Sequence, residues 1–254
     1  MELKISKLTK QFGDFTAVDC LNITMTNGVY GLLGVNGAGK TTFMRIICTL
    51  LQPTSGQILC NGKDIFQMGA DYRKLLGYLP QEFGFYPEFT VKDYLLYIAA
   101  LKGIRPAVAK KRVKNLIAKV GLSKAENQKM KKLSGGMKRR AGIAQAMLND
   151  PPILILDEPT NHLDIASKEV LEDALNQFEG TIFFISHDRY FINKVATRVI
   201  ELTNNQAISY DGNYDTYFNH KIIDKPIKKE NKDYLSMKQQ NALYRKQQNK
   251  IKKV

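Results

Sequence analysis

Long apolar runs are missing from this 254-residue chain: the longest, residues 94–101, is far short of the ~20 residues a membrane-crossing helix needs. Met1 leads straight into an amphipathic strand pattern with no signal-peptide character, so the chain is expected to be soluble and intracellular. Cysteine is scarce as well. Cys20, Cys48 and Cys60 stand apart among apolar neighbours without metal-ligand spacing, which excludes a disulfide framework and a zinc site and predicts buried free thiols. Acids are outnumbered, 24 against 38 Lys and Arg, for a net charge of +14, but the excess is unevenly placed. Residues 221–254 hold eleven Lys and Arg against three acids, a net +8, which leaves a modest surplus suited to an acidic ligand on the rest. With 44% apolar residues the chain can fill one full α/β domain, over residues 1–220, with a basic segment appended; a second domain of that size does not fit.

The stretch that organises the chain is Gly34-Val35-Asn36-Gly37-Ala38-Gly39-Lys40-Thr41-Thr42, a match to G-x-x-x-x-G-K-[ST]. Gly37 and Gly39 lack a Cβ, so the backbone can turn through positive φ and bring successive N–H groups against a triphosphate. The helix expected from Thr41 to Leu51 aims its positive end at the same place; Lys40 adds a mobile cation and Thr41 a hydroxyl ligand for Mg²⁺. The context is right, since residues 29–33 read as a buried strand and Phe43, Ile46, Ile47 and Leu50 recur at helical spacing.

Before this motif, Leu3, Ile5 and Leu8 and then Val18, Leu21, Ile23 and Met25 near-alternate with polar residues, predicting an antiparallel β layer that residues 57–61 continue. Phe12 in its loop is placed to stack on a base or to be an ordinary half-buried aromatic. Residues 76–80 form a short strand that ends at Gln81, whose amide suits a metal or water contact. A helical lobe follows over about residues 88–150: Thr90 with Asp93 caps one helix, Pro106 opens a second that Gly121 closes, and Ser123 with Glu126 opens a short third. Tyr94, Leu95, Ile98 and Leu101 are expected to be that lobe's own core. Leu133-Ser134-Gly135-Gly136-Met137 stands before a helix expected from Ala141 to Leu148, a second anion-ready N-terminus with Ser134 as cap.

Four aliphatics, Ile153 to Leu156, lead into Asp157-Glu158 at a strand's carboxyl edge, where parallel sheets hold ligands. Asp157 can hold Mg²⁺ through water, and Glu158 can take a proton from an attacking water. His187 ends another buried strand, residues 181–186, at the same sheet edge; His162 and His220 read as loop and surface residues. Residues 199–202 and 207–210 suggest a closing hairpin. From Lys225 the chain reads as a charged helix, with Met237, Tyr244 and Ile251 seven apart.

In order and spacing, residues 34–42, Gln81, residues 133–136, residues 153–158, Asp164 and His187 resemble the nucleotide-binding domain of the ATP-binding cassette family, over residue 1 to about 202. The resemblance implies a P-loop α/β fold, with a parallel core sheet, an antiparallel β layer and a helical lobe, that hydrolyses ATP with Mg²⁺. It implies that Phe12 stacks on adenine, that Asn36, Gly37, Ala38, Gly39, Lys40, Thr41 and Thr42 hold the phosphates, and that Thr41 and Gln81 meet Mg²⁺. Glu158 is then the base, His187 contacts the γ-phosphate, and Asp164 lies at the boundary between two domains. Ser134, Gly135 and Gly136 bind the nucleotide of an opposing domain, so a homodimer is expected. Up to about residue 155, through Phe83-Gly84-Phe85-Tyr86-Pro87-Glu88-Phe89-Thr90-Val91 and Leu133-Ser134-Gly135-Gly136-Met137-Lys138-Arg139-Arg140, the chain is similar to ATP-binding subunits of antibiotic-type and other exporters. Beyond, Asn161-His162-Leu163-Asp164, Ser186-His187-Asp188-Arg189-Tyr190-Phe191 and Asp211-Gly212-Asn213-Tyr214-Asp215 are similar to the soluble F subfamily, whose members act on ribosomes. Two functions follow. One is an ATPase subunit of an exporter, at the inner face of the cell membrane through a separate transmembrane permease; the other is an ATP-dependent ribosome-binding factor whose basic tail contacts RNA.

Overall fold

The computed structural model describes residues 1–203 and 206–223, and structural statements below concern those residues. The expected charged helix from Lys225 onward therefore lies outside them.

The chain opens with a hairpin of β1 (Leu3–Phe12) and β2 (Phe15–Met25), closed by the two-residue turn Gly13-Asp14. Two residues of β2, Asp19 and Cys20, face one of β1, Thr9, between the pairs Leu8↔Leu21 and Lys10↔Val18, a bulge that breaks the inside-outside alternation. Cys20 sits in that bulge with φ +49 and is exposed, contrary to the expected burial; Cys48 and Cys60 are buried free thiols. Next come β3 (Val29–Gly34), α1 (Lys40–Ile47), β4 (Ser55–Cys60) and β5 (Lys63–Asp64). The antiparallel layer has the order β2-β1-β4-β5. Two short helices that the sequence pattern did not suggest follow, α2 (Ile65–Met68) and α3 (Ala70–Lys74); Asp64 caps the first by accepting from the amides of Phe66 and Gln67.

The core sheet begins with β6 (Leu76–Leu79), after which the chain leaves for the lobe: α4 (Val91–Leu101), α5 (Pro106–Lys119) and α6 (Gly135–Ala146). Thr90 caps α4 through the Asp93 amide at 3.1 Å, and its hydroxyl donates to the Asp93 carboxylate. Pro106 is the first residue of α5, and Gly121 follows its end at φ +65. The turn at Ser123–Ala125 is a 3₁₀ turn with no side-chain cap, so Glu126 does not play the partner expected of it.

The chain returns through β7 (Ile153–Asp157), α7 (Ile165–Asn176), β8 (Thr181–Ile185), α8 (Arg189–Val195), β9 (Arg198–Thr203), β10 (Gln206–Asp211) and α9 (Tyr214–Ile223). The core sheet has the order β10-β9-β3-β8-β7-β6, parallel throughout except for the closing β9/β10 hairpin.

Both faces of this sheet are covered, which is why its central strands read as unbroken aliphatic runs. Ile153 and Ile155 of β7, with Phe183 and Ile185 of β8, face a core shared with the antiparallel layer and with Phe43, Ile46 and Ile47 of α1. Their neighbours Leu154, Leu156, Ile182 and Phe184 face a second core, shared with the lobe. The lobe therefore has no core of its own: Tyr94 and Leu95 pack into the common one, while Leu101 is exposed.

Candidate nucleotide site

The carboxyl ends of β3, β7 and β8 meet at a cavity of about 520 Å³, lined by Phe15, Ala17, Asn36, Gly37, Gly39, Lys40, Thr41, Thr42, Gln81, Asp157, Glu158, Asn161, Ile185 and His187. The loop after β3 folds on itself, with Ala38 N–H donating to the Val35 carbonyl at 3.1 Å. Gly37 and Gly39 have φ near +87 (+86 and +87), as the sequence pattern predicts. At Gly39 the constraint is also steric, because a Cβ there would lie 2.1 Å from the Ala17 carbonyl oxygen of β2. Gly39 caps α1 without a side chain, so no side-chain acceptor occupies the positive end of that helix. The Lys40 ammonium donates to the Gly34 carbonyl at 2.7 Å and the Val35 carbonyl at 3.0 Å, held across the loop it serves. Burial lowers its pKa, and the carboxylates of Glu158 and Asp157 oppose that shift.

Opposite stands the acidic pair. Asp157 is the last residue of β7 and is almost fully buried; burial raises its pKa against the pull of Arg139, Arg45 and Lys40. Glu158 is buried too, and burial raises its pKa against His187 in the first place. Its backbone is in the left-handed region, φ +52, pinned by its amide donating to the Ile185 carbonyl at 2.9 Å. The Glu158 Oε1 lies 3.4 Å from Nε2 of His187, whose side chain is 63% exposed. A partly desolvated carboxylate beside an imidazole at the mouth of a polar cavity is an arrangement that can accept a proton from water.

The residue after His187 holds it in place. Asp188 caps α8 by accepting from Phe191 N–H at 3.1 Å and pairs with Lys168 of α7 at 2.5 Å. Burial pushes its pKa up, but the Lys168 hydrogen bond and the amides of Phe191 and Tyr190 outweigh that and hold it below the usual value. Asp188→Ala is expected to cost about 1–2 kcal/mol of stability, from the lost cap and ion pair. A depressed folded pKa makes this contribution complete above the unfolded value of about 3.9 and lost as pH falls through the folded one. Denaturant titrations of both proteins should therefore converge at acid pH.

Most of the residues expected at this cavity meet here, with two differences. Phe12 does not line the cavity; its directly paired neighbour across the hairpin, Phe15, does, and Lys10 sits over the Phe12 ring at 5.1 Å. Ala38 also stays outside the lining and packs against the core shared with the antiparallel layer. Ser134, Gly135 and Gly136, expected to serve an opposing domain, are not in the lining. They form the cap and first turn of α6, which starts six residues before the expected Ala141, with Ser134 Oγ accepting from Met137 N–H at 3.2 Å. Asp164 is exposed and caps α7 through Ser167 N–H at 2.9 Å.

Oxygen donors of Thr41, Gln81 and Asp157 share the cavity, a set that suits Mg²⁺. Among the described residues no group of three or more His, Cys, Asp or Glu could cage a metal ion.

The profile of the ABC transporter family matches residues 19–161, more than half of the chain. The chain is 36% identical over 240 residues to the bacitracin transport ATP-binding protein BcrA of Bacillus licheniformis, covering 92% of this chain and 73% of that protein. To the spermidine/putrescine import ATP-binding protein PotA of Nitrosomonas europaea it is 33% identical over 210 residues, 81% of this chain and 58% of that one. It thus spans roughly three fifths to three quarters of the length of these curated relatives. Among solved structures, cbiO1 from Clostridium perfringens, part of the ABC transporter complex cbiONQ, superposes with a TM-score of 0.75 at 26% identity, covering 87% of this chain and 92% of that one. Together with the phosphate loop, the acidic pair and the sheet order, these likenesses show that the chain belongs to the ABC transporter family and carries its ATP-binding, ATPase-type domain.

Proposed function

We propose that this protein is the ATP-hydrolysing subunit of an exporter, working as a head-to-tail pair with a separate membrane permease. The observation that carries this reading is the division of the site: the cavity holds the phosphate loop, Glu158 and His187, while the capped helix end at Ser134, Gly135 and Gly136 is not part of it. A second copy, turned face to face, supplies the missing half to each cavity. Val35 beside the phosphate loop and Ile165 beside Asp164 are both 78% exposed, apolar side chains that such a pairing covers.

In this reading the amides at the start of α1 and the Lys40 ammonium bind the β- and γ-phosphates. Phe15, or Phe12 beside it, supports the base. Thr41, Gln81 and Asp157 would hold Mg²⁺, which screens the charge of the phosphates when bound. Glu158 takes the proton of the attacking water, and His187, 3.4 Å from it, orients the carboxylate and faces the γ-phosphate. The products are ADP and phosphate.

Permease docking is supported by an aromatic patch between Gln81 and α4. Tyr86 stacks on Phe89 with centroids 5.1 Å apart, and Tyr97 meets both rings edge-on; Tyr86 and Tyr97 are exposed. Amphipathic rings of this kind favour protein interfaces. Export rather than import rests on the exporter-like first part of the sequence.

The test is affinity purification of the Glu158→Gln chain from gently solubilised membranes of the cells that make it. Recovery of an integral membrane protein, lost in the Tyr86→Asp/Tyr97→Asp double variant, is expected. ATP-dependent sedimentation with ribosomes, with no such membrane protein, would overturn the exporter reading in favour of the ribosome factor.

A further inference from the structure

Arg139 is a charged residue placed where the packing asks for an apolar one. It lies on the face of α6 that also carries Gly136, Ile143 and Ala146, all buried, and is itself 4% exposed. Every hydrogen bond of its guanidinium goes to a main-chain carbonyl at a strand end. Nη1 donates to Pro80 at 2.7 Å and to Gln81 at 2.9 Å, just past β6; Nη2 donates to Glu158 at 2.9 Å and to Asp157, at the end of β7. Burial lowers its pKa to about 10, against the pull of Asp157 and Glu158, so it is charged at neutral pH.

We infer that Arg139 is a positioning residue for hydrolysis: its planar fork clamps the ends of β6 and β7 and so keeps Glu158 in the strained backbone posture that aims its carboxylate at the attacking water. This rests on the reading of Glu158 as the base. A non-glycine residue at φ +52 persists only where its surroundings over-determine it. Here two bonds do so, the Glu158 amide to Ile185 on one side and the Glu158 carbonyl to Arg139 on the other. Released from the second, Glu158 can relax toward ordinary φ and carry its carboxylate away from His187. The other half of the fork fixes the spacing to Gln81. A lysine offers one point charge and no fork, so it cannot bridge the same carbonyls.

The placement has a consequence for the paired molecule. Ser134, the cap of α6, and Arg139 lie five residues apart on one helix, so the element that offers its N-terminus to the partner's nucleotide also holds this copy's own base. Arg140, next along, is anchored elsewhere: its Nη1 donates to Val120 at 2.9 Å and Gly121 at 3.0 Å, inside the lobe.

The experiment compares Arg139→Lys, Arg139→Gln, Arg140→Lys and Glu158→Gln in the full chain, by steady-state ATP hydrolysis, ATP titration, thermal melting and amide hydrogen exchange. Both Arg139 variants should lose about 10²-fold in kcat, the scale of a misplaced catalytic group, with KM and ATP affinity close to those of the unaltered chain. Exchange should rise in peptides covering residues 157–163, and Arg140→Lys should retain kcat. The inference is overturned if either folded Arg139 variant keeps its kcat, or if the loss follows melting temperature equally in Arg139 and Arg140 variants. Failure of both Arg139 variants to fold also overturns it, by making Arg139 a residue of the fold. Normal turnover by Glu158→Gln instead removes the reading beneath it.

Discussion

Glu158→Gln is expected to bind ATP as tightly as the unaltered chain and to hydrolyse it about 10²–10⁴-fold more slowly, the loss that follows removal of a general base. The substitution changes one atom of the carboxylate and leaves the backbone bonds to Ile185 and Arg139 in place, so the cavity keeps its shape. An amide cannot accept the proton of water. The effect should therefore fall on kcat, with KM hardly moved. In the proposed head-to-tail pair, bound ATP joins the two copies and cleavage lets them part, so this variant should also accumulate as a dimer in ATP and Mg²⁺. Single-turnover hydrolysis measured beside sedimentation checks both; a monomer that turns over normally would remove Glu158 from the chemistry.

Lys40→Ala acts one step earlier. The buried ammonium is poised between the Gly34 and Val35 carbonyls, and the proposed function has it exchange those bonds for phosphate oxygens when nucleotide enters. A charge-assisted hydrogen bond contributes about 1.5–3 kcal/mol, so its loss should weaken ATP by roughly ten- to 10²-fold. The glycine backbone remains, so ADP and ATP should lose their discrimination before binding vanishes. Calorimetry on folded protein checks this; unchanged affinity would mean that the loop does not hold the β- and γ-phosphates.

How far this site could be read in advance follows from how local each cause is. The phosphate loop was legible because each residue type in it answers a local demand: positive φ at Gly37 and Gly39, a cation at Lys40, a hydroxyl at Thr41. Asp157 and Glu158 were legible because four aliphatics announce a buried parallel strand, and such strands end at the ligand edge. The start of α6 was misread because Gly135-Gly136 looks like a helix breaker. Its actual cause is a distant contact, since a Cβ on Gly136 would lie 2.9 Å from the His162 carbonyl oxygen. Phe15, which lines the cavity, carries no local signal, because which end of a two-residue turn faces the loop after β3 is set by tertiary packing. Arg139 left a trace, a cation on the apolar face of a helix, but its partners lie at strand ends far along the chain. The helical lobe was expected to have its own core because no strand pattern interrupts it, whereas its buried side chains join those of β7 and β8.

The central claim is that each complete site is built from the phosphate loop of one copy and the Ser134–Gly136 turn of another. The most direct measurement mixes two inactive proteins. Lys40→Ala spoils the phosphate loop, and Gly135→Asp places a carboxylate where the γ-phosphate of the opposing copy should rest. Each alone should be nearly silent in ATP hydrolysis. A mixed pair has one site in which both halves are damaged and one in which both are intact, so turnover should appear on mixing and rise with the product of the two concentrations. If the mixture stays as silent as its components while each remains folded, the site is not shared between two copies of this chain, and the head-to-tail account is contradicted.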